Sequence, residues 1–445
     1  MAEKHVYKFG VDENGNNVTE VAGASVDEAK WITGGKGANL AEMANIGLPV
    51  PPGFSITCQT CVAYSGAGNV WPEGVLDEID EYRKDLEKRM GKKLGDKDDP
   101  LLVSVRSGAP FSMPGMMDTV LNLGLNDDSV QGIIKQTNNE RFAWDSYRRF
   151  VQMFSNVVMG IDGDLFEEAI NAKKEEKGVK LDTELTAEDL KDLTETFKQI
   201  FAKNVDSTAH PEVAPEGIAS FPQDPYLQLR LAEQAVFGSW NTERAVLYRK
   251  QNKIPDDLGT AVNVQVMVFG NKGDTSATGV AFTRNPADGT NERYGDFLVN
   301  AQGEDVVAGI RNTEPIADLV KIPALKEAGE ELYHVFEILE DHYADMMDLE
   351  FTIEQGKLWM LQTRVGKRTA LSALRVAIQM VEEGRITKEQ AIMRVAPDQL
   401  DQLLHPQFDP KAEVDVVAKG MNASPGAAVG AVVFSSDAAV HYHNI

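Results

Sequence analysis

The sequence predicts an α+β protein in which helical and extended segments occupy different stretches of the chain. Apolar residues recur at helical spacing between about residues 126 and 250. Short segments rich in β-branched residues and bounded by glycine dominate residues 260–365. The first 125 residues mix both patterns, and residues 367–397 return to helical spacing. Runs of helices and strands that are separated in this way are typical of α+β folds.

Composition excludes several classes of protein. The chain has 445 residues, with 44 Lys+Arg against 69 Asp+Glu, which gives a formal charge of −25. Such an acidic chain is not expected to bind nucleic acid or anionic lipid. No apolar run approaches the roughly 18 residues of a membrane span, and the N-terminus lacks the apolar core of a signal peptide. Two cysteines cannot form a disulfide framework, so we expect a cytoplasmic protein. The length of 445 residues predicts about three domains.

The first 125 residues contain a glycine-rich turn and one buried strand. Gly34-Gly35-Lys36-Gly37 opens a helical run, Ala38–Asn45, which Gly47 ends. The three prolines within residues 49–52 exclude helix there, because proline fixes φ and lacks a backbone donor. Residues 101–105 predict a buried strand, and Arg106-Ser107-Gly108 predicts a turn after it.

The middle of the chain predicts helices. One of them is defined by apolar residues at helical spacing, namely Phe142, Tyr147, Phe150, Val151 and Phe154. Ala187–Lys203 follows the same rule. Lys173–Glu184 is highly charged and predicts a solvated surface segment.

The last third of the chain begins with extended segments and ends with helix. The predicted strands include Val262–Phe269, Gly279–Thr283 and Phe297–Asn300. An apolar stripe then predicts a helix through Leu374, Val376, Ala377, Met380 and Val381. Residues 397–415 form a proline-containing linker, and Met421–Gly430 predicts the entry to another domain.

Residues 348–364 predict a β-hairpin, because polar and apolar residues alternate on both sides of Gly356. A three-residue loop, Glu354-Gln355-Gly356, would pair Ile353 with Lys357 and place Asp348 opposite Gln362. One face would then carry Asp348, Glu350, Gln362 and Arg364. The other face would carry Leu349, Phe351, Ile353, Trp359 and Leu361.

The polar face of this hairpin has the composition of a magnesium and phosphate site. Two carboxylates and an amide oxygen are hard ligands, and Mg²⁺ keeps further positions for water and phosphate oxygens. The same pattern is also compatible with an ordinary amphipathic hairpin that has one solvated face. The residues alone leave both interpretations open.

Other segments could bind phosphate, each with a structural alternative. Gly34-Gly35-Lys36-Gly37 ahead of a helix suits a phosphate, although it lacks Walker A spacing and is also compatible with a simple turn. Arg106 at a strand end can form a bidentate phosphate contact or a surface ion pair. Arg148 and Arg149 lie in the middle of a predicted helix, where a solvated helix face is the favoured interpretation. Glu304-Asp305 could approach a metal, position an arginine, or belong to a plain loop.

Cys58-x-x-Cys61 is the remaining pattern with chemical potential. Thr57 can cap a helix that places a thiol near its N-terminus, where thiolate is favoured. The sequence contains no second cysteine pair and no suitably spaced histidine, so a zinc site is not predicted. A structural role is therefore favoured over a redox role.

Taken together, several segments resemble the N-terminal part of the pyruvate phosphate dikinase family, from about residue 5 onwards. The segments that carry this resemblance follow the family's order and are Gly34–Met43, Ser104–Gly108, Ser112–Gly124, Arg141–Phe150, Asn300–Arg311 and Asp348–Arg368. Several long matches in one order are specific. They favour the functional interpretation of each segment over its structural alternative.

The resemblance implies an ATP-grasp nucleotide-binding domain with a helical insertion, a helical linker and a β/α swivelling phosphohistidine domain. The implied boundaries are residues 1–125 for the N-terminal ATP-grasp subdomain, 126–250 for the helical middle region, 251–370 for the β-rich nucleotide and magnesium subdomain, 371–415 for the linker, and 416–445 for the start of the phosphohistidine domain.

The resemblance also implies a reversible phosphotransferase activity. In that family ATP gives its β,γ-diphosphoryl unit to a histidine, phosphate removes diphosphate, and phosphohistidine converts pyruvate to phosphoenolpyruvate. The family's histidine lies in a Thr-Ser-His-Ala-Ala motif, which this sequence lacks. We therefore expect the phosphohistidine beyond Ile445, no catalytic residue in this chain, and no complete turnover by the chain alone.

Site residues follow from the matched motifs. The ATP-binding residues implied are Lys36, Arg106, Arg149, Glu304, Asp305, Asp348, Glu350, Gln362 and Arg364. Asp348, Glu350 and Gln362 would hold Mg²⁺, which is the implied cofactor. The implied partners are ATP or AMP and the other domains of a full-length homodimer, whereas this chain is expected to be a monomer.

Two departures from the family pattern bear on these implications. Pro110 stands where the family usually has an arginine, and Phe111 stands where it has a small residue, so phosphate binding could be weakened. One alternative is a pyruvate, water dikinase, against which the Ser112–Asp118 segment argues. The other is a non-catalytic nucleotide-binding module.

Overall fold

A computed structural model describes residues 4–215, 217–307 and 312–397, together with 415, 429–434 and 442. The predicted mixture of helix and sheet is confirmed, and the two large sheets are antiparallel. The strands are β1 (Val6–Phe9), β2 (Gly53–Ile56), β3 (Lys93–Leu94), β4 (Pro100–Leu101), β5 (Val103–Gly108), β6 (Thr119–Leu123), β7 (Ala261–Val266), β8 (Ala277–Phe282), β9 (Tyr294–Val299), β10 (Glu314–Pro315), β11 (Met347–Glu354) and β12 (Lys357–Val365).

The α-helices lie between these strands and after them. They are α1 (Val26–Asn45), α2 (Cys58–Gly66), α3 (Val75–Met90), α4 (Ser129–Thr137), α5 (Glu140–Met153), α6 (Asp164–Lys177), α7 (Ala187–Asn204), α8 (Pro225–Ser239), α9 (Glu243–Asn252), α10 (Gly303–Val307), α11 (Lys326–Tyr343), α12 (Ala370–Glu382) and α13 (Lys388–Arg394). No helix of the described residues has the length and apolarity that a membrane span requires.

The first sheet has the strand order β1-β2-β7-β5-β6 and draws on distant parts of the chain. Its central strand β7 is buried along its whole length, although it carries two amide side chains. Asn263 accepts a hydrogen bond from Ser55 Oγ at 2.7 Å, and Gln265 Nε2 donates to the Pro51 carbonyl at 3.0 Å. Because these buried amides have partners, the strand can remain in the core.

The second sheet has the order β10-β9-β8-β11-β12 and packs against α11 and α1. Helix α1 contributes Leu40 and Met43 to the core of this sheet. Asn39 Nδ2 donates to the Thr363 carbonyl of β12 at 3.0 Å. The first half of the same helix lies against β5 of the first sheet, so α1 joins the two sheets.

Helix α1 is longer than the predicted run and is interrupted at Gly34. It begins at Val26, where Ser25 Oγ accepts a hydrogen bond from the Glu28 amide, so the predicted start at Ala38 is wrong. Gly34 has φ 70° and ψ 168°, a conformation essentially restricted to glycine. A Cβ added there would lie 1.5 Å from the Gly108 carbonyl oxygen. The predicted glycine turn is therefore a break within a helix that permits close contact with β5.

The predicted turn at Arg106-Ser107-Gly108 is also wrong. These residues continue β5 and pair with Asn263, Val262 and Ala261 of β7. The reason is long-range, since a neighbouring strand from residues 261–266 provides partners for their backbone groups. Arg106 therefore lies within a strand.

The helical middle region agrees with the sequence pattern. Helix α5 covers the predicted stripe except for Phe154, which directly follows its last residue. Phe150, Phe154 and Phe201 all pack their rings against Phe221. The charged stretch 173–184 is a surface segment, as predicted, although its first part belongs to α6. Helices α12 and α13 confirm the helical pattern after residue 367. The predicted linker and domain entry lie largely outside the described residues.

Candidate nucleotide and metal site

Lys36 follows the break in α1 and is surrounded by charge from three elements. It is partly buried, and burial lowers the pKa of its ammonium to about 8. Of the neighbouring charges, Arg106 and Arg364 lower this pKa further, whereas Glu350 raises it. The structure thus brings Lys36 of α1, Arg106 of β5 and the hairpin residues into one group.

The close approach of α1 to β5 explains this grouping. Gly35 N donates to the Ala109 carbonyl at 2.9 Å. A Cβ on Gly108 would lie only 3.3 Å from the Lys36 Cβ. Because side chains of a strand alternate, Arg106 lies on the same face of β5 as Gly108. The cations Lys36 and Arg106 are therefore held side by side by the backbone.

The hairpin β11–β12 has a different loop from the predicted one. Glu354 pairs with Lys357, so the loop has two residues, Gln355 and Gly356, and not three. Both have positive φ, 49° and 81°, as a type I′ turn requires. The predicted pair of Ile353 with Lys357 is wrong, because Ile353 pairs with Leu358.

A β-bulge further along the hairpin restores the predicted polar face. The register shifts between Glu350 and Phe351, after which Glu350 pairs with Gln362 and Asp348 with Arg364. Relative to the prediction the partners beyond the bulge move by two residues, which preserves their face. The four polar residues therefore share one face, as predicted, although Asp348 does not lie opposite Gln362.

Between the turn and the bulge the shift is one residue, which reverses the faces of β12. Phe351 pairs with Met360, and Thr352 pairs with Trp359. The prediction that Trp359 and Leu361 share the apolar face is therefore wrong for Trp359, which lies opposite Thr352 on the other face. Leu358 and Met360 occupy the buried core, whereas Leu361 is only partly buried.

The polar face places one arginine between two carboxylates. Arg364 Nε donates to Asp348 Oδ2 at 2.6 Å, and Arg364 Nη2 lies 3.8 Å from Glu350 Oε1. Burial raises the pKa of Asp348, and Glu350 raises it further, while Arg364 opposes both. Ionising Asp348 is thus costly unless further positive charge lies nearby. Gln362 is partly buried on the same face.

A second group of charges links α5 to the segment after β9. Arg149 Nε donates to Asp145 at 3.1 Å, and Arg149 Nη2 donates to Asp305 Oδ1 at 3.4 Å. Asp305 Oδ2 accepts a hydrogen bond from the Gln302 amide nitrogen at 2.9 Å. Asp305 thus holds an arginine, one of the interpretations that the sequence left open. Glu304 lies beside it in α10.

Comparison with known proteins identifies the family. The AMP/ATP-binding domain of pyruvate phosphate dikinase matches residues 31–81, 68–326 and 315–385. The chain belongs to this family. It is 51% identical over 442 residues to a pyruvate, phosphate dikinase of Clostridium symbiosum, covering 99% of this chain and 48% of the relative.

Two further relatives agree with this assignment. A pyruvate, phosphate dikinase of Rhizobium meliloti (strain 1021) is 52% identical over 447 residues, 98% of this chain and 47% of the relative. A chloroplastic pyruvate, phosphate dikinase of Mesembryanthemum crystallinum is 53% identical over 440 residues, 98% of this chain and 44% of the relative. The chain therefore spans about half the length of the curated relatives it matches.

The cysteines of this pyruvate phosphate dikinase family member belong to its packing. Thr57 caps α2 as predicted, since its hydroxyl accepts a hydrogen bond from the Thr60 amide. Both thiols are buried, and burial raises the pKa of Cys58 to about 12 and that of Cys61 to about 11. Neutral thiols are poor nucleophiles and poor metal ligands. The preference for a structural role is consistent with this environment.

Two polar residues that touch the site region received no role from sequence reasoning. Asn39 binds the Thr363 carbonyl and so fixes α1 against β12. In the sequence, Asn39 could have been recognised as a polar residue about one helical turn after Lys36. Gln302 lies within the matched segment Asn300–Arg311, and its side chain is buried without a partner among the described residues.

Proposed function

We propose that this chain is the ATP-binding, diphosphoryl-donating part of a pyruvate, phosphate dikinase. The reaction converts ATP, phosphate and pyruvate reversibly to AMP, diphosphate and phosphoenolpyruvate, by way of a phosphohistidine carried outside this chain. The observation that supports it most is the group formed by Lys36, Arg106 and Arg364 beside Asp348 and Glu350. The three cations would bind a triphosphate, and the two carboxylates would bind its metal ion.

Charge explains why this group is suited to ATP. The chain carries a formal charge of −25, yet Arg106 of β5 and Arg364 of β12 lie close enough to Lys36 of α1 to lower its pKa. Their mutual repulsion favours an anionic ligand, which relieves it. A triphosphate meets this requirement, because arginine and lysine bind its oxygens with charge-assisted hydrogen bonds.

The donor set also fits Mg²⁺. The described residues contain no group of three or more His, Cys, Asp and Glu that could hold a metal by themselves. Mg²⁺ does not need such a cage, since it binds one or two carboxylates together with phosphate oxygens and water. Asp348 and Glu350 would hold it with the amide oxygen of Gln362. Bound Mg²⁺ would neutralise charge on the transferring phosphates.

The chain's own residues would act by orientation and charge neutralisation. In diphosphoryl transfer the bond between the β-phosphorus and the α,β-bridging oxygen breaks, and a bond from that phosphorus to the histidine nitrogen forms. Lys36 and Arg106 would hold the phosphate oxygens while Arg364 neutralises the charge on the transferring unit. Arg149, which Asp305 positions, would also hold the ATP phosphates. AMP leaves with the electron pair of the broken bond.

The proposal includes the finer architecture. We assign the two sheets and α1 to an ATP-grasp nucleotide domain, with residues 126–250 as a helical insertion and residues 371–415 as a linker. The phosphohistidine and pyruvate domains would be supplied by the full-length protein, which would form a homodimer. By itself the chain would be a monomer in the cytoplasm.

Calorimetric titration tests the proposal directly. A non-hydrolysable ATP analogue with Mg²⁺ is titrated into the parent chain, Lys36→Ala and Glu350→Ala. Each variant should bind about tenfold to a hundredfold more weakly, because each loses a charged contact. Lys326→Ala is the matched control, since that lysine is an exposed helix residue paired with Glu330. Absence of binding by the parent, or equal binding by all variants, would contradict the proposal.

A further inference from the structure

Two exposed aromatic rings meet beside the candidate site. Trp31 lies in α1, and Phe111 lies in the loop of residues 109–118 that joins β5 to β6, the β5–β6 loop. Their rings meet edge to face, with centroids 5.9 Å apart and planes at 78°, which is a favourable arrangement. Trp31 is 49% exposed and Phe111 43% exposed. The contact therefore joins two surface segments and does not complete a core.

The β5–β6 loop is attached to α1 on both sides of the helix break. Trp31 lies three residues before the break at Gly34, and its ring contacts Phe111 of the loop. Gly35 lies directly after the break, and its amide donates to the Ala109 carbonyl of the loop at 2.9 Å. One loop thus contacts both halves of the broken helix.

The angle between the two halves of α1 depends on such contacts. The φ of 70° and ψ of 168° at Gly34 interrupt the helical geometry, so the hydrogen bonds within each half do not by themselves set this angle. Gln59 Nε2 of α2 donates to the Trp31 carbonyl at 2.9 Å and holds the first half. The β5–β6 loop holds both halves. Because Lys36 is the second residue after the break, these contacts place it relative to β5.

The far end of the β5–β6 loop is anchored to other helices. Met113 is buried in a small apolar cluster with Trp240, at the end of α8. Arg244 of α9 donates from Nε to the Met116 carbonyl at 3.3 Å and also binds the Asp118 carboxylate. Position 111 lies between these anchors and the hydrogen bond at residue 109. The ring at position 111 therefore attaches the remaining stretch of the loop to α1.

We propose that Phe111, through its contact with Trp31, is a positioning residue for triphosphate binding. The two rings keep the β5–β6 loop against both halves of α1, and this keeps Lys36 beside Arg106 without any contact between the rings and the reacting atoms. Because the contact exists before a nucleotide binds, it reduces the ordering that binding must otherwise supply. The inference rests on the proposed function, in which Lys36 and Arg106 hold the ATP phosphates.

A double-mutant cycle tests the role of the ring contact. The parent chain, Trp31→Ala, Phe111→Ala and the double variant are titrated calorimetrically with the non-hydrolysable ATP analogue and Mg²⁺. Each single variant should bind about twofold to tenfold more weakly, because loss of an aromatic pair reduces the fraction of chains with an ordered loop. The double variant should bind no more weakly than the weaker single variant, since either substitution removes the whole contact.

Two further variants separate the ring contact from general effects of substitution. Phe111→Tyr keeps the ring and should bind like the parent. Tyr226→Ala is the matched control, because Tyr226 is also 43% exposed and its ring lies 4.3 Å from the Arg83 guanidinium. That contact joins α8 to α3, so its loss should leave the affinity for the ATP analogue unchanged. A contact that served only global stability would lower the unfolding midpoint and leave the affinity of the folded chain unchanged.

Amide hydrogen exchange without nucleotide tests the loop directly. The backbone amides of residues 109–112 should exchange faster in Trp31→Ala and Phe111→Ala than in the parent, because the loop opens more often once the ring contact is lost. In Tyr226→Ala these amides should exchange at the parent rate.

Four results would overturn the inference. They are equal or tighter binding of the ATP analogue by Phe111→Ala, additive losses of affinity in the double variant, unchanged loop exchange in both single variants, and an equal loss of affinity in Tyr226→Ala. Failure of the proposed function shows separately, as absence of ATP-analogue binding by the parent. Faster loop exchange in the variants would in that case leave the ring contact with a structural role only and would overturn its role in triphosphate binding.

Discussion

Substituting Gly34 by alanine should disrupt the site without touching any charged residue. The added Cβ would lie 1.5 Å from the Gly108 carbonyl oxygen, a distance that no side-chain rotation can relieve. Alanine must also adopt φ 70° and ψ 168°, or the helix must change its path. Backbone strain of this kind costs about 1–3 kcal/mol, and forced separation of packed groups costs about 1–3 kcal/mol more. We therefore expect a loss of about 2–6 kcal/mol.

Gly47→Ala is the matched control, because Gly47 also has positive φ, 88°, but has open space around its Cα. It should cost only the left-handed strain, about 1–2 kcal/mol. Urea unfolding, monitored by circular dichroism, compares the free energies of unfolding of the two variants. The Gly34→Ala variant should also bind the Mg²⁺–ATP analogue more weakly, because Lys36 moves with the helix. Equal unfolding midpoints, or unchanged nucleotide binding by Gly34→Ala, would refute the reasoning.

Three further predictions concern single groups. Burial lowers the pKa of Lys36 to about 8 in the free chain, and a bound phosphate would raise it. The affinity for the ATP analogue should therefore fall as the pH rises above about 8. Calorimetry at several pH values should show this dependence in the parent and not in Lys36→Arg. Cys58 and Cys61 should resist a thiol reagent at neutral pH in the folded chain and react after unfolding, whereas fast reaction in the folded state would contradict their burial. Arg284→Met should lower the free energy of unfolding in urea by about 3–5 kcal/mol, because it leaves the buried Glu340 carboxylate without the guanidinium that binds it at 2.7 and 2.9 Å. An unchanged free energy of unfolding would show that the pair is dispensable.

The hairpin shows which features of this site the sequence can predict. Alternation of polar and apolar residues depends on the strand period alone, so it correctly placed Asp348, Glu350, Gln362 and Arg364 on one face. Pairing depends also on loop length and bulges. The Gln355-Gly356 turn and the bulge after Glu350 each shift the register by one residue, and their effects add to an even number. The face therefore survived an error in the pairs.

The sequence of helix α1 contains a helix-start signal well before Ala38. Ser25 and Glu28 have the spacing of a helix N-terminus, and the structure begins the helix between them. The pair Gly34-Gly35 argues against a helix that begins at Val26 and continues past it, since glycine pairs usually mark a turn or the end of a helix. The extension of β5 through Arg106 had no local signal, because β7 provides its partners from more than 150 residues away. Sequence spacing cannot anticipate such pairing.

One helix sets the spacing of the proposed nucleotide site. Gly35 is bound to the segment after β5 through its amide, and Asn39 is bound to β12 through its side chain. These anchors are four residues apart, about one helical turn, and Lys36 lies between them. Since Arg106 belongs to the first sheet and Glu350 to the second, the distance between cations and carboxylates depends on this one turn. A change that shifts either anchor should therefore alter binding of phosphate and metal together, even where every charged side chain is retained.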